Sequence, residues 1–258
     1  MDQRFAPRRY PIGLTDGLNR GQTMTPLIIM VGADKGGVGK TTVARALDDY
    51  LQSRRANKKL FDSEWPAGDL KRFAPGSDLI DIENVDHQMR VFDTVEGVSL
   101  IDVRAGLLSP TLRALSDVGL LDDVRSGALA LALLHVIGPS AASLREIAET
   151  AAAIGGGVRH FLVKNYVNES GFAEWEKDAR FAEVLKAALP HTITVSHLAD
   201  RACTEVQLVG GSFAAFADNR KSKILAGYVR KWLGGVWAEF DRVGLGAMIA
   251  AAGNLPAA

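Results

Sequence analysis

The octapeptide at residues 35–42 combines glycine, lysine and threonine at a spacing suited to binding phosphate. It reads Lys-Gly-Gly-Val-Gly-Lys-Thr-Thr and directly follows an apolar run that ends near residue 32. Gly36, Gly37 and Gly39 allow backbone angles closed to other residues, so successive N–H groups can converge on phosphate oxygens at the N-terminus of a following helix. The pattern predicts a nucleotide-phosphate loop between a strand and a helix.

The start of this loop departs from the usual P-loop consensus. Asp34 stands where the consensus has its first glycine, and a second lysine, Lys35, follows it. Lys35 together with G-G-x-G-K-T-T resembles the deviant P-loop of the ParA/MinD family of ATPases. The resemblance implies an ATP-dependent homodimer in which Lys35 reaches the nucleotide of the partner subunit.

The remaining loop residues have expected roles at a nucleotide. Lys40 would lie against the β- and γ-phosphates, and Thr41 would bind Mg²⁺. We assign Thr42 to the α-phosphate and include Val38 with the three glycines in the nucleotide-binding loop. The expected cofactors are ATP and Mg²⁺.

A second element is the apolar segment Val98–Asp102, which ends in a carboxylate and is followed by glycine at Gly106. It is similar to a Walker B strand, and an acid at that strand end would bind Mg²⁺ beside the P-loop. The stretch D-V-R-A-G is similar to the D-x-P-A-G of MinD-like proteins, with Arg104 in place of proline. Arg104 is interpreted as an exposed turn residue, or alternatively as a contact to nucleotide or partner.

A third element, Asp62-Ser63-Glu64-Trp65-Pro66, resembles the D-x-D-P segment of the same family. In that family the region positions the attacking water and Mg²⁺ ligands. We therefore name Asp62 and Glu64 as candidates for orienting water, with ordinary loop acids as the alternative. The extra methylene of Glu64 raises the question of how fast hydrolysis would be.

Base recognition is assigned to Asn165, at the end of a predicted strand. Related proteins place an asparagine there against the adenine edge, and a simple turn residue is the alternative. The sequence carries no N-K-x-D guanine signature, so ATP is favoured over GTP.

Strand-like and helix-like segments alternate along the chain, which predicts an α/β P-loop NTPase fold with a mostly parallel central sheet and helices on both faces. We expect a flexible extension at 1–23, an ATPase domain at 24–243 and a flexible C-terminal tail at 244–258. The predicted strands are near 26–32, 58–62, 79–82, 98–102, 128–137, 158–167 and 192–195. The predicted helices are near 41–56, 84–95, 110–123, 140–154, 172–188 and 219–238.

Composition is ordinary for one α/β domain of 258 residues, and 30 basic side chains balance 30 acidic ones. Global charge therefore does not direct the protein to nucleic acid or anionic lipid. Cys203 is the only cysteine, which excludes an intramolecular disulfide, and we expect it to be buried. No apolar run approaches the roughly 20 residues of a membrane-spanning helix, so the expected location is the cytoplasm.

The segment 219–238 has a broad apolar face and five basic residues without an acid. Three interpretations remain open. The segment is a helix packed on the sheet, a basic face for non-specific DNA binding, or a peripheral membrane helix. The basic residues are Arg220, Lys221, Lys223, Arg230 and Lys231.

These features favour an ATPase switch that acts in plasmid or DNA partitioning, conjugal transfer or intracellular positioning. A segment at 69–73 resembles the TraL-like conjugal-transfer subgroup. The activator protein and the cargo are unknown from sequence. Two other classes remain: a slow or non-hydrolysing recruitment module, and a metabolic P-loop enzyme such as a small-molecule kinase or amidoligase.

Overall fold

The computed structural model describes residues 24–33, 35–138, 150, 154, 156–167, 172, 177, 191–218 and 222–253. Seven strands in these residues form one sheet. They are β1 Leu27–Gly32, β2 Lys58–Asp62, β3 Asp78–Leu79, β4 Val98–Asp102, β5 Ala130–Ile137, β6 Arg159–Asn165 and β7 Thr192–Val195. Their order is β3-β2-β4-β1-β5-β6-β7, and every hydrogen-bonded pair is parallel.

Nine helices lie in the described part of the chain. They are α1 Lys40–Ser53, α2 Asp69–Phe73, α3 Val85–Phe92, α4 Leu108–Asp117, α5 Leu120–Ser126, α6 Asp200–Val209, α7 Phe213–Asp218, α8 Lys223–Arg242 and α9 Leu245–Ala251. No helix in the described ranges is long and apolar enough to cross a membrane.

The sheet is buried on both faces, because alternate side chains of each strand point in opposite directions. Leu27, Ile29 and Val31 of β1 join the apolar cluster of α1 and α8, whereas Ile28 and Met30 join the cluster of α3, α4 and α5. Helices therefore cover both faces, which confirms the predicted fold class.

Strand order places a crevice at the carboxyl end of β1. The chain builds β2, β3 and β4 on one side of β1 and then crosses to build β5 on the other. Ligands of open parallel sheets bind at such a reversal. The register pairs Val31 with Asp102, so the end of β4 lies directly beside the end of β1.

Two predicted elements differ from the structure. The single helix expected at 110–123 is divided into α4 and α5, because Gly119 adopts the left-handed conformation (φ 82°) that ends one helix and starts the next. The flexible tail expected from residue 244 is wrong for its first part. There, α9 buries Leu245 and Ile249 against the α1 and α8 side of the sheet.

Other expectations fall on residues outside those described. These are the N-terminal extension at 1–23, most of the helices expected at 140–154 and 172–188, and residues 254–258.

The β7 edge of the sheet is covered by side chains of α8. Glu239 Oε2 accepts from the Thr194 N–H at 2.8 Å, and the Arg242 guanidinium donates to the Thr192 carbonyl. Backbone groups of an edge strand would otherwise be open to pairing with another chain. This arrangement also fixes the C-terminal helix next to the strands that end at the crevice.

Candidate nucleotide-binding site

The glycine-rich loop connects β1 to α1 in the conformation that its glycines permit. Gly37 and Gly39 have φ angles of 76° and 87°, which side-chain-bearing residues rarely adopt. Gly39 is the N-cap of α1, and its carbonyl accepts the first helical bond, from Val43 N–H, at 3.1 Å. The loop therefore ends at a helix N-terminus, where partial positive charge favours an anion.

Close packing from neighbouring elements holds this loop. A Cβ at Gly32 would lie 2.7 Å from Leu108 of α4, and a Cβ at Gly138 would lie 3.0 Å from Val38. Both glycines therefore allow a neighbouring side chain to approach the backbone directly. The loop is enclosed on the α4 side at its start and on the β5 side in its middle.

Asn165, the last residue of β6, contacts the same loop. Its Nδ2 donates to the Val38 carbonyl at 2.9 Å and lies 3.5 Å from the Gly39 carbonyl. Only 6% of Asn165 is exposed. The amide nitrogen of Asn165, which was expected at the adenine edge, is therefore bonded to the backbone of the phosphate loop.

The side chains expected to hold Mg²⁺ are in direct contact. Thr41 Oγ1 donates to Asp102 Oδ2 at 2.7 Å, while the buried Asp102 Oδ1 has no hydrogen-bond partner. Burial raises the pKa of Asp102 to about 7, with a further increase from Asp62 and an opposing effect of Thr41 and Lys40. A hydroxyl next to an unpartnered carboxylate oxygen suits a hard cation that also binds phosphate, so these residues fit Mg²⁺.

The two lysines of the loop differ in exposure. Lys40 is buried, with 7% of its surface exposed, whereas Lys35 is exposed. Lys40, the first residue of α1, acts on Asp102 electrostatically. Lys35 is instead accessible to a second molecule.

Asp62 and Glu64 have different environments. The two oxygens of the fully buried Asp62 accept from the Glu64 N–H at 3.0 Å and the Lys71 N–H at 2.8 Å. These bonds fix the turn after β2 and the first turn of α2. Glu64 is half-buried and acts electrostatically on Asp102. Of the two acids expected to orient water, Glu64 is the one whose side chain is not engaged in holding the backbone.

The turns after β2 and β4 are bonded to each other and to the phosphate loop. Ser63 N–H donates to the Asp102 carbonyl at 3.0 Å, and Ser63 Oγ accepts from the Arg104 N–H at 2.7 Å. Gly106 N–H donates to the Ala33 carbonyl at 3.2 Å. The Arg104 side chain is exposed, as its interpretation as a turn residue requires.

A cleft of about 110 Å³ opens beside the phosphate loop. Gly39, Thr42 and Asn165 line one side, and the rest is lined by residues after β6 and β7, by α6, by Phe213 of α7 and by Trp232 of α8. Cys203 is part of the α6 wall and is exposed, so the expectation that it is buried is wrong. Of these lining residues, the sequence predicted Gly39, Thr42 and Asn165 and did not predict the contribution of α6.

Arg45 and Asp49 of α1 support the cleft wall, which the sequence analysis did not detect. The Arg45 guanidinium lies between the Phe73 and Phe213 rings, at 3.6 and 4.2 Å, and donates to the Gly211 carbonyl at 3.0 Å. Burial lowers the pKa of Arg45 to about 10.

Asp49 accepts from the Ala214 N–H at 3.1 Å, in the first turn of α7. Burial raises the pKa of Asp49, and the Ala214 N–H opposes that rise. The only sequence signal for this pair is two opposite charges four residues apart on one helix.

The basic C-terminal segment is largely helix α8. Its apolar face is buried, and the indole N–H groups of Trp232 and Trp237 donate to carbonyls of Ser196 and Ala46. The packed-helix interpretation is therefore confirmed. Lys223, Arg230 and Lys231 are exposed, with Arg230 donating to the Ala217 carbonyl, and Arg220 and Lys221 lie outside the described residues.

A glycine loop between a central parallel strand and a helix, with a carboxylate from the adjacent strand end, defines the P-loop NTPase class. Within that class, the fold is that of MinD-like proteins. The chain is similar to MinD of Pyrococcus horikoshii, complexed with Mg-ADP, with a TM-score of 0.52 and 17% identity over 87% of this chain and 99% of that chain.

A second solved structure with this fold is the cell division ATPase MinD of Pyrococcus furiosus. It has a TM-score of 0.50 and 18% identity over 84% of this chain and 99% of that chain. At these identities the similarity establishes the fold. No protein-family model and no curated protein sequence matches the chain.

Gly39→Ala and Gly36→Ala test the geometry of the loop. A Cβ at Gly39 would meet Asn165 Nδ2 at 2.1 Å and force alanine to φ 87°, whereas a Cβ at Gly36 meets nothing within 4 Å. We expect Gly39→Ala to lower the free energy of unfolding by about 1–3 kcal/mol and Gly36→Ala to change it by less than about 1. Urea denaturation measures both, and equal effects would contradict this loop conformation.

Proposed function

We propose that this protein is a Mg²⁺-dependent ATPase of the ParA/MinD type that works as a nucleotide-controlled switch. The observation that carries the proposal is the 2.7 Å bond from the Thr41 hydroxyl to the buried Asp102 carboxylate, next to the glycine loop. The second oxygen of that carboxylate is unpartnered. Metal-assisted binding of a nucleoside triphosphate accounts for the glycine loop, the Thr41–Asp102 bond and the unpartnered oxygen.

The residues of the site have distinct proposed roles. The loop N–H groups and Lys40 bind the β- and γ-phosphates, Thr42 contacts the α-phosphate, and Thr41 and Asp102 hold Mg²⁺. When bound, Mg²⁺ neutralises charge that develops on the transferring phosphoryl group. Glu64 orients the attacking water, because Asp62 is occupied by two backbone N–H groups.

Dimerisation is proposed for the ATP-bound form. Lys35 is exposed at the outer side of the loop, whereas Lys40 is buried beneath it. An exposed lysine beside a triphosphate can reach nucleotide held by a second copy, as the family resemblance implies. Hydrolysis would remove the γ-phosphate from between the subunits and reset the dimer.

The proposed partners of the switch are an activating protein and, second, DNA. Lys223, Arg230 and Lys231 lie on the exposed side of α8, where they can contact phosphates without disturbing the buried face. Partitioning of plasmid DNA, conjugal transfer and intracellular positioning, in the cytoplasm, are the proposed settings. A TraL-like role rests on the sequence resemblance alone.

Substitution of Glu64 tests hydrolysis. We expect Glu64→Gln to lower the rate of phosphate release at saturating ATP by about 100-fold, because an amide orients water less well, while ATP affinity stays within about threefold of wild type. Asp62→Asn should instead lower the free energy of unfolding by about 1–3 kcal/mol, since one backbone N–H loses its acceptor. Turnover, calorimetric affinity and urea denaturation measure the three quantities.

The matched control is Glu96→Gln, an exposed glutamate just before the amino end of β4, whereas the crevice lies at the carboxyl ends of the strands. It should match wild type in every assay. If Glu64→Gln hydrolysed ATP at the wild-type rate, the proposed role of Glu64 would be contradicted. ATP binding without measurable turnover would favour a recruitment module, and consumption of ATP only with an acceptor molecule would favour a metabolic enzyme.

Lys35→Ala tests the dimer. With Mg²⁺ and a non-hydrolysable ATP analogue, we expect wild type to have twice the chain mass in light scattering and Lys35→Ala to remain a monomer that still binds nucleotide. Lys59→Ala, which removes an exposed lysine of β2, should dimerise as wild type does. A dimer that forms equally well without Lys35 would contradict its role between subunits.

A further inference from the structure

The contact between Asn165 and the phosphate loop determines the direction of a peptide group in the loop. Asn165 Nδ2 donates to the Val38 carbonyl at 2.9 Å, and the peptide that joins Val38 to Gly39 is planar. Its C=O and its N–H therefore point in opposite directions. With the C=O held toward β6, the Gly39 N–H is directed away from Asn165.

The contact is also shielded from water. Asn165 is 6% exposed and Val38 is 5% exposed. A buried carbonyl that loses its donor costs more than the net contribution of an ordinary hydrogen bond. The loop backbone is thus coupled to the end of β6, which is separated from it by more than 120 positions in sequence.

Gly39 makes this approach feasible. A Cβ at that position would lie 2.1 Å from Asn165 Nδ2, so the amide is packed against the bare Cα of the loop. The Asn165 side chain therefore contacts two features of the loop, the left-handed Gly39 and the fixed Val38 carbonyl. The Asn165 amide nitrogen has two hydrogens, and the Val38 carbonyl accepts one of them.

We propose that Asn165 is a positioning residue of the phosphate loop. It orients the Val38–Gly39 peptide so that the loop is ready for phosphate before nucleotide arrives. This inference rests on the proposed nucleotide-binding function. It predicts that Asn165 determines affinity for the phosphate chain regardless of the base attached to it.

Two substitutions at Asn165 separate positioning from base reading. Asn165→Ala removes the whole amide, whereas Asn165→Asp keeps an acceptor oxygen and lacks the donor to Val38. Asn84→Ala is the matched control, since Asn84 caps α3 through its own side chain, outside the residues that line the cleft. Calorimetry with Mg²⁺ measures the affinity of each protein for a non-hydrolysable ATP analogue, the GTP analogue and tripolyphosphate.

We expect both Asn165 variants to lose about tenfold or more in affinity for every ligand that wild type binds, with an unchanged ratio between the two nucleotides. The Asn84→Ala control should match wild type. Near wild-type ATP affinity in Asn165→Asp with a loss in Asn165→Ala would overturn the proposal. A changed nucleotide ratio with tripolyphosphate affinity unaffected would overturn it as well.

Hydrogen–deuterium exchange of the nucleotide-free protein decides the same point without a ligand. We expect peptides that cover 33–43 to exchange about tenfold faster in both Asn165 variants, while peptides of β4 and β5 exchange as in wild type. Unchanged exchange of the loop would overturn the inference. If wild type bound no nucleotide, the proposed function would fail, and the exchange result would still decide whether Asn165 positions the loop.

Discussion

The hydrogen bond between Thr41 and Asp102 sets the geometry on which the rest of the site depends. It joins the first turn of α1 to the end of β4, so the phosphate loop and the carboxylate share one crevice. Burial raises the pKa of Asp102 to about 7, and one of its oxygens has no donor. Burial disfavours the charged form of such a carboxylate, and a bound cation would offset that cost. Asp102 is therefore a buried group at the centre of the site, and its unpartnered oxygen could bind a metal ion.

Helix α1 connects this centre to the rest of the nucleotide cleft. At its N-terminus it carries Lys40 and Thr41. On its flank, Arg45 binds the turn before α7 and Asp49 binds the first turn of α7. Phe213, which lines the cleft, contacts the Arg45 guanidinium directly. The phosphate loop and the cleft wall are thus both supported by the same helix, which limits how far either can move without the other.

Local patterns predicted the parts of the fold that depend on nearby residues. The spacing of glycine and lysine placed the loop, and an apolar run ending in a carboxylate placed β4 and Asp102. Outside the motifs, contacts between elements were not predictable, because no local pattern encodes them. The engagement of Asp62 with α2, the bond from Asn165 to Val38 and the helix at Leu245–Ala251 all depend on tertiary packing.

The most direct test of the account is the dependence of ATP affinity on Mg²⁺ in wild type and in Asp102→Asn, measured by calorimetry with a non-hydrolysable analogue. We predict that Mg²⁺ tightens binding to wild type by about tenfold or more and that Asp102→Asn, which keeps the size and the acceptor for Thr41, loses most of this effect. Equal Mg²⁺ dependence in the two proteins would contradict the assignment of Thr41 and Asp102 as the metal site.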